Sequence, residues 1–93
     1  MTPNAIINLA DKLEAAKGVK ITHVLQYRVP NSSNSLGADK TISTHFMIND
    51  TEEVASFVES FARPFVFSTP RVWSPDVVKD HVKIDLADYR SKD

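Results

Sequence analysis

Residues 19–29 read VKITHVLQYRV and residues 41–48 read TISTHFMI, with the turn-rich run PNSSNSLGAD between them. Successive side chains of a strand point to opposite faces, so alternating stretches of this kind predict strands. In the first, Val19, Ile21, His23, Leu25, Tyr27 and Val29 share one face, and Lys20, Thr22, Val24, Gln26 and Arg28 share the other. The first face is expected to be buried, with His23 interrupting it. In the second, Ile42, Thr44, Phe46 and Ile48 form the apolar face. Two such strands pair most simply as a long hairpin. Its tip, residues 30–39, is expected to be mobile, with Leu36 as its only apolar anchor.

Helical spacing flanks this hairpin. Residues 3–17 place Ile6, Leu9, Ala10 and Leu13 on one stripe, behind a capping Thr2 and a proline at the first helical position, and ahead of Gly18. Residues 51–62 place Val54, Phe57, Val58 and Phe61 at i, i+3, i+4 and i+7. Asp50 and Glu53 resemble a capping box there, and Arg63-Pro64 ends the segment, which predicts a second helix. A shift of 48 residues superposes the two stripes, as it would for any two amphipathic helices.

The last third is ambiguous. Phe65, Val66 and Phe67 are a short β-prone run, and Pro70 and Pro75 bracket Arg71, Val72 and Trp73. Residues 82–87 alternate as a last strand, with Val82, Ile84 and Leu86 on one face. Val78, Val82, Leu86 and Tyr89 also fit a helix, although the β-branched residues favour the strand. The expected fold is α+β, a two-layer sandwich in the order α-β-β-α-β-β. Both helices would cover one face of a mostly antiparallel four-stranded sheet, in a single domain 1–93 with a short tail at 88–93.

Composition bounds the function classes. A content of 42% hydrophobic and 25% charged residues matches a folded chain and argues against disorder. The net charge is −1, so no global field draws the protein to nucleic acid or an anionic membrane. The absence of cysteine removes disulfides, thiolate metal sites and thiol nucleophiles. The N-terminal stretch lacks the basic leader and long apolar run of a signal peptide, and no run approaches the ~18 apolar residues of a membrane span. A cytoplasmic protein is therefore expected. Two glycines, Gly18 and Gly37, cannot build a phosphate-cradling loop, and no cofactor or metal is expected.

Three histidines could carry chemistry. His45 and His81, with Asp80, would form a metal or acid/base cluster only if the fold brought their strands together; His23 sits on the apolar face of its strand. Carboxylates thicken residues 76–93, but Lys79, Lys83, Arg90 and Lys92 are threaded among them.

The expected function is a small non-catalytic protein-binding module, an inhibitor, immunity-type or accessory protein compatible with a phage or mobile-element product, acting by surface occupancy on another protein. Arg71 and Trp73 are its leading candidates. They are two residues apart, and a rigid proline-bracketed segment loses little entropy on docking. If Val72 faces the core, Arg71 and Trp73 face outward together. Arg28, Lys40 and Leu36 complete the candidate surface. The alternatives are a nucleic-acid-binding domain using Lys20, Arg28 and Lys40, and a small enzyme or enzyme subunit using a strand-borne histidine.

Overall fold

The computed structural model describes residues 2–28, 42–58, 63–73 and 81–90. The expected hairpin tip with Leu36 and Lys40, the end of the expected second helix with Phe61, and Asp80 lie outside these residues.

Helix α1 spans Pro3–Lys17. Thr2, with extended backbone, accepts a hydrogen bond from the Ala5 amide at 3.2 Å, and Pro3 occupies a position where no amide hydrogen is needed. Gly18 ends the helix in the left-handed region, at φ 68°, with its amide donating to the Glu14 carbonyl at 2.8 Å. Ile6, Ile7, Ala10 and Leu13 are buried, and Leu9 is half-buried.

Five strands follow: β1 His23–Arg28, β2 Ile42–Met47, β3 Glu52–Val58, β4 Phe65–Val72 and β5 Val82–Asp85. Every pairing is antiparallel, in the spatial order β4-β3-β2-β1-β5. The first four strands form a meander. The chain then crosses from the β4 edge to the opposite edge, where β5 pairs with β1. A five-residue helix, α2 (Leu86–Arg90), closes the described chain. The Leu86 amide donates to the Thr22 carbonyl at 3.1 Å, and Arg90 pairs with Asp11 of α1 at 2.7 Å.

The fold is thus α+β, with a five-stranded rather than a four-stranded sheet. The expected second helix over 51–62 is strand β3 as far as Val58. Asp50 and Glu53 do not form the expected capping box: Glu53 meets His45, and Asn49 gathers the amides of a turn instead. Asn49 Oδ1 accepts from the Thr51 amide at 2.8 Å, the Glu52 amide at 2.9 Å and the Thr51 hydroxyl at 3.1 Å. The Ile48 amide closes the turn on the Glu52 carbonyl at 2.9 Å. A short polar side chain that gathers free amides can begin a helix or tighten a hairpin, and the local sequence does not separate the two.

A bulge completes the disguise. Phe46 pairs with Ala55 but Met47 pairs with Glu53, so Val54 is an extra residue in the ladder. Val54 and Ala55 both enter the core as a result, which breaks the two-residue period and leaves a pattern that reads as helical. With a helix at one end and a strand at the other, the 48-residue similarity is no repeat.

The face of β1 also needs correcting. Val24, expected outside, is fully buried in the core with Phe46, Ala55, Ile6, Ala10, Leu13, Ile21 and Leu86. Leu25 is buried as deeply on the opposite face, in register with His45. β1 is a central strand between β2 and β5, with α1 residues packed over Val24 and Leu25 buried on the face that carries His45, so alternation carries little information. At the chain's end, strand and helix follow one another, β5 giving way to α2. Asp85 Oδ1 accepts the Ala87 amide at 2.9 Å at the junction.

Candidate functional site

The face turned away from α1 carries an unusual concentration of polar and aromatic side chains. Ser43 and His45 stand two residues apart on β2, so the pleat points both to this face, while Thr44 and Phe46 point to the other. Glu53 reaches the same face from β3 because of the bulge. In a regular ladder Val54 would pair with Met47 and Glu53 would turn toward the core; the extra residue reverses the two.

The three side chains form a chain of hydrogen bonds. Ser43 Oγ lies 2.8 Å from His45 Nε2, and His45 Nδ1 meets Glu53 Oε2. Ser43, His45 and Glu53 are 3%, 8% and 7% exposed. A carboxylate only accepts, so a neutral imidazole that satisfies both contacts carries its hydrogen on Nδ1 and takes the Ser43 hydroxyl hydrogen at Nε2. Among the described residues, no buried side-chain nitrogen or oxygen lacks a partner.

Aromatic rings surround His45. Tyr27, paired with Ser43 across β1 and β2, stacks on the imidazole at 5.3 Å between centroids with a 15° tilt. Trp73 approaches at 6.3 Å and 57°, and meets His81 at 5.0 Å and 69°. The Trp73 amide donates to the Thr51 carbonyl at 2.7 Å, which anchors the residue at the foot of the β2–β3 turn. Trp73 follows β4 and His81 precedes β5, the strands at the two edges of the sheet, yet their rings meet.

Comparison with protein-family models, curated proteins and solved structures gives no match.

The candidates named from sequence are distributed unevenly. Arg71 is exposed on β4, opposite Glu53 in register, with its guanidinium carbon 4.7 Å from the centre of the Phe67 ring. Trp73 is half-buried against His45 and His81. Val72 is 77% exposed, so it does not face the core as the outward reading of Trp73 required. It ends β4, an edge strand of the sheet.

Arg28 is exposed at the end of β1 and lines a pocket of about 240 Å³ with Gln26, Tyr27, Ile42 and Val82. Lys20 lies before the other end of β1, in a separate cleft of about 570 Å³ with Asp11, Glu14 and Arg90. The length of β1 therefore separates Lys20 from Arg28. His45 and His81 come together through Trp73, whereas His23 is engaged elsewhere, 2.7 Å from the Thr22 hydroxyl and 3.8 Å from Asp50.

No cluster of three metal-ligating side chains occurs among the described residues, and none of their helices is long and apolar enough to cross a membrane. Sequence reasoning missed Ser43 and Glu53 as site residues and named Tyr27 only for its place on the β1 face and beside Arg28. The Ser43-Thr44-His45 spacing on a strand was a readable signal; Glu53 was hidden by its assignment to a helix cap.

Proposed function

We propose that this chain is a protein-binding module, an inhibitor, immunity-type or accessory protein that occupies a partner's surface through β4. One observation carries the reading. β4 is an edge strand of eight residues, all exposed but the half-buried Phe67, and it leaves Phe65 at 55%, Val66 at 49% and Val72 at 77% exposed. Phe65 and Val66 lie opposite Ser56 and Ala55 and so on the two faces of the strand, which makes the exposed edge itself the contact surface, and an arginine held against an aromatic ring is a favoured anchor.

The partner would read side chains rather than add a strand. Residues 67–70 fall between the two stretches of β4 that pair with β3, and Pro70 lacks a donor. Such a broken edge resists strand addition. The Phe67 carbonyl is already engaged by Lys17 Nζ of α1.

The test is affinity capture from an extract of the source cells, with the wild-type chain compared with a Phe65→Asp, Val72→Asp double variant. A partner held by the first and lost by the second, with the variant still folded, supports the reading. A partner retained equally by both moves the interface away from β4. Salt-sensitive binding to random oligonucleotides, with no protein captured, would replace it with the nucleic-acid alternative.

A further inference from the structure

We propose that Ser43 is an activated nucleophile, with His45 as its general base and Glu53 as the positioning residue that holds the imidazole, and that it reacts with small acyl esters. The inference rests on the face away from α1 and is independent of the β4 surface. Nucleophilic serine chemistry requires a hydroxyl within hydrogen-bond reach of a base, and that base must be oriented by a third group. Here the hydroxyl is 2.8 Å from Nε2, and Glu53 occupies Nδ1 of the same ring.

The order of contacts matters. Had Glu53 met Nε2 and Ser43 met Nδ1, the reactive nitrogen would be the one crowded by its own backbone. Instead the outer nitrogen faces the serine, and the stacked Tyr27 ring fixes the plane of the imidazole. Ser43 is 3% exposed, so any reagent that reaches it has to be small.

The balanced reaction has two halves. Ser43 Oγ bonds to the ester carbonyl carbon while its proton passes to His45 Nε2. The carbon–oxygen bond to the alcohol then breaks, and that oxygen takes the proton from Nε2, leaving an acyl-serine. Water attacks the acyl carbon, gives a proton to Nε2, and displaces Ser43, which recovers its proton; the products are an alcohol and an acid. Neither oxidant nor metal is consumed.

The experiment treats the intact, folded chain with a small fluorophosphonate, in which the serine oxygen displaces fluoride from phosphorus, and maps the adduct by mass spectrometry. Turnover of p-nitrophenyl acetate is followed in parallel. The expected result is an adduct on Ser43 that is absent from Ser43→Ala and abolished in urea. His45→Gln should slow labelling by about 10²–10⁴-fold, the usual contribution of a general base. Glu53→Asp should retain more of the rate than Glu53→Gln, because a carboxylate restores the tautomer and an amide does not. No adduct on Ser43 in the folded protein overturns the proposal, as does equal labelling in urea or a folded His45→Gln variant that labels at the wild-type rate. Should His45→Gln fail to fold, the urea comparison on the wild-type chain still decides.

Discussion

Glu53 meets His45 across two strands only because Val54 is an extra residue between the paired stretches of β3. One slip in the ladder sends a carboxylate to the polar face and a valine to the core. The contact therefore has a structural cause that can be perturbed from either side.

Truncating either member of that pair leaves the other buried without its partner. Glu53→Ala and His45→Ala should each lower stability by about 1–3 kcal/mol. Urea unfolding of both variants and of the double variant measures their coupling, which should be at least about 0.5 kcal/mol for residues in contact. Strict additivity would mean that the contact contributes nothing to folding.

Phe46 is the largest fully buried side chain among the described residues, and Phe65 is more than half exposed. Phe46→Ala should cost about 3–5 kcal/mol, and Phe65→Ala should stay within about 0.5 kcal/mol of wild type. Thermal or urea melts of the two side by side test the assignment of faces.

Asn49 organises the turn between β2 and β3 through four side-chain hydrogen bonds, three accepted by Oδ1 and one donated by Nδ2 to Glu52 Oε1. Asn49→Ala should destabilise by about 1–2 kcal/mol, and Asn49→Asp should fall between it and wild type, since its carboxylate can still accept from both amides but loses the bond donated to Glu52 and repels that carboxylate. Amide exchange of Thr51 and Glu52 should quicken in the alanine variant. Unchanged exchange at both would separate the turn from the Asn49 side chain.

Gly18 has φ 68°, and a Cβ built there would meet nothing within 4 Å. Gly18→Ala therefore carries backbone strain without a clash and should cost about 1–2 kcal/mol. A neutral or stabilising substitution would show that the C-cap tolerates a side chain.

Trp73 links His45 to His81. Trp73→Ala should shift the ring-proton resonances of both histidines in NMR spectra and lower stability by at least about 1 kcal/mol, because two ring contacts are lost. Shifts confined to His81 would detach Trp73 from the Ser43–His45–Glu53 chain.

The sequence by itself determined the elements whose signals are local. Helix α1 is written in Thr2, Pro3, the Ile6–Leu13 stripe and Gly18, and every part of that code concerns residues within a turn of one another. The β1–β2 pairing and the α+β class follow equally from alternation and turn composition. Tertiary structure alone decided the rest. The segment after Asn49 is poised between helix and strand, and the sheet resolved it by offering β2 a partner and absorbing Val54 as a bulge. Burial of both faces of β1 erased the polarity that alternation was expected to reveal, so Val24 and Leu25 are buried on opposite sides. The cluster of Ser43, His45, Glu53, Tyr27, Trp73 and His81 draws on several elements and two long-range events, a register slip and an edge-to-edge crossover. Neither event has a local signature, because each is set by the free energy of packing the whole sheet rather than by the residues that occupy it.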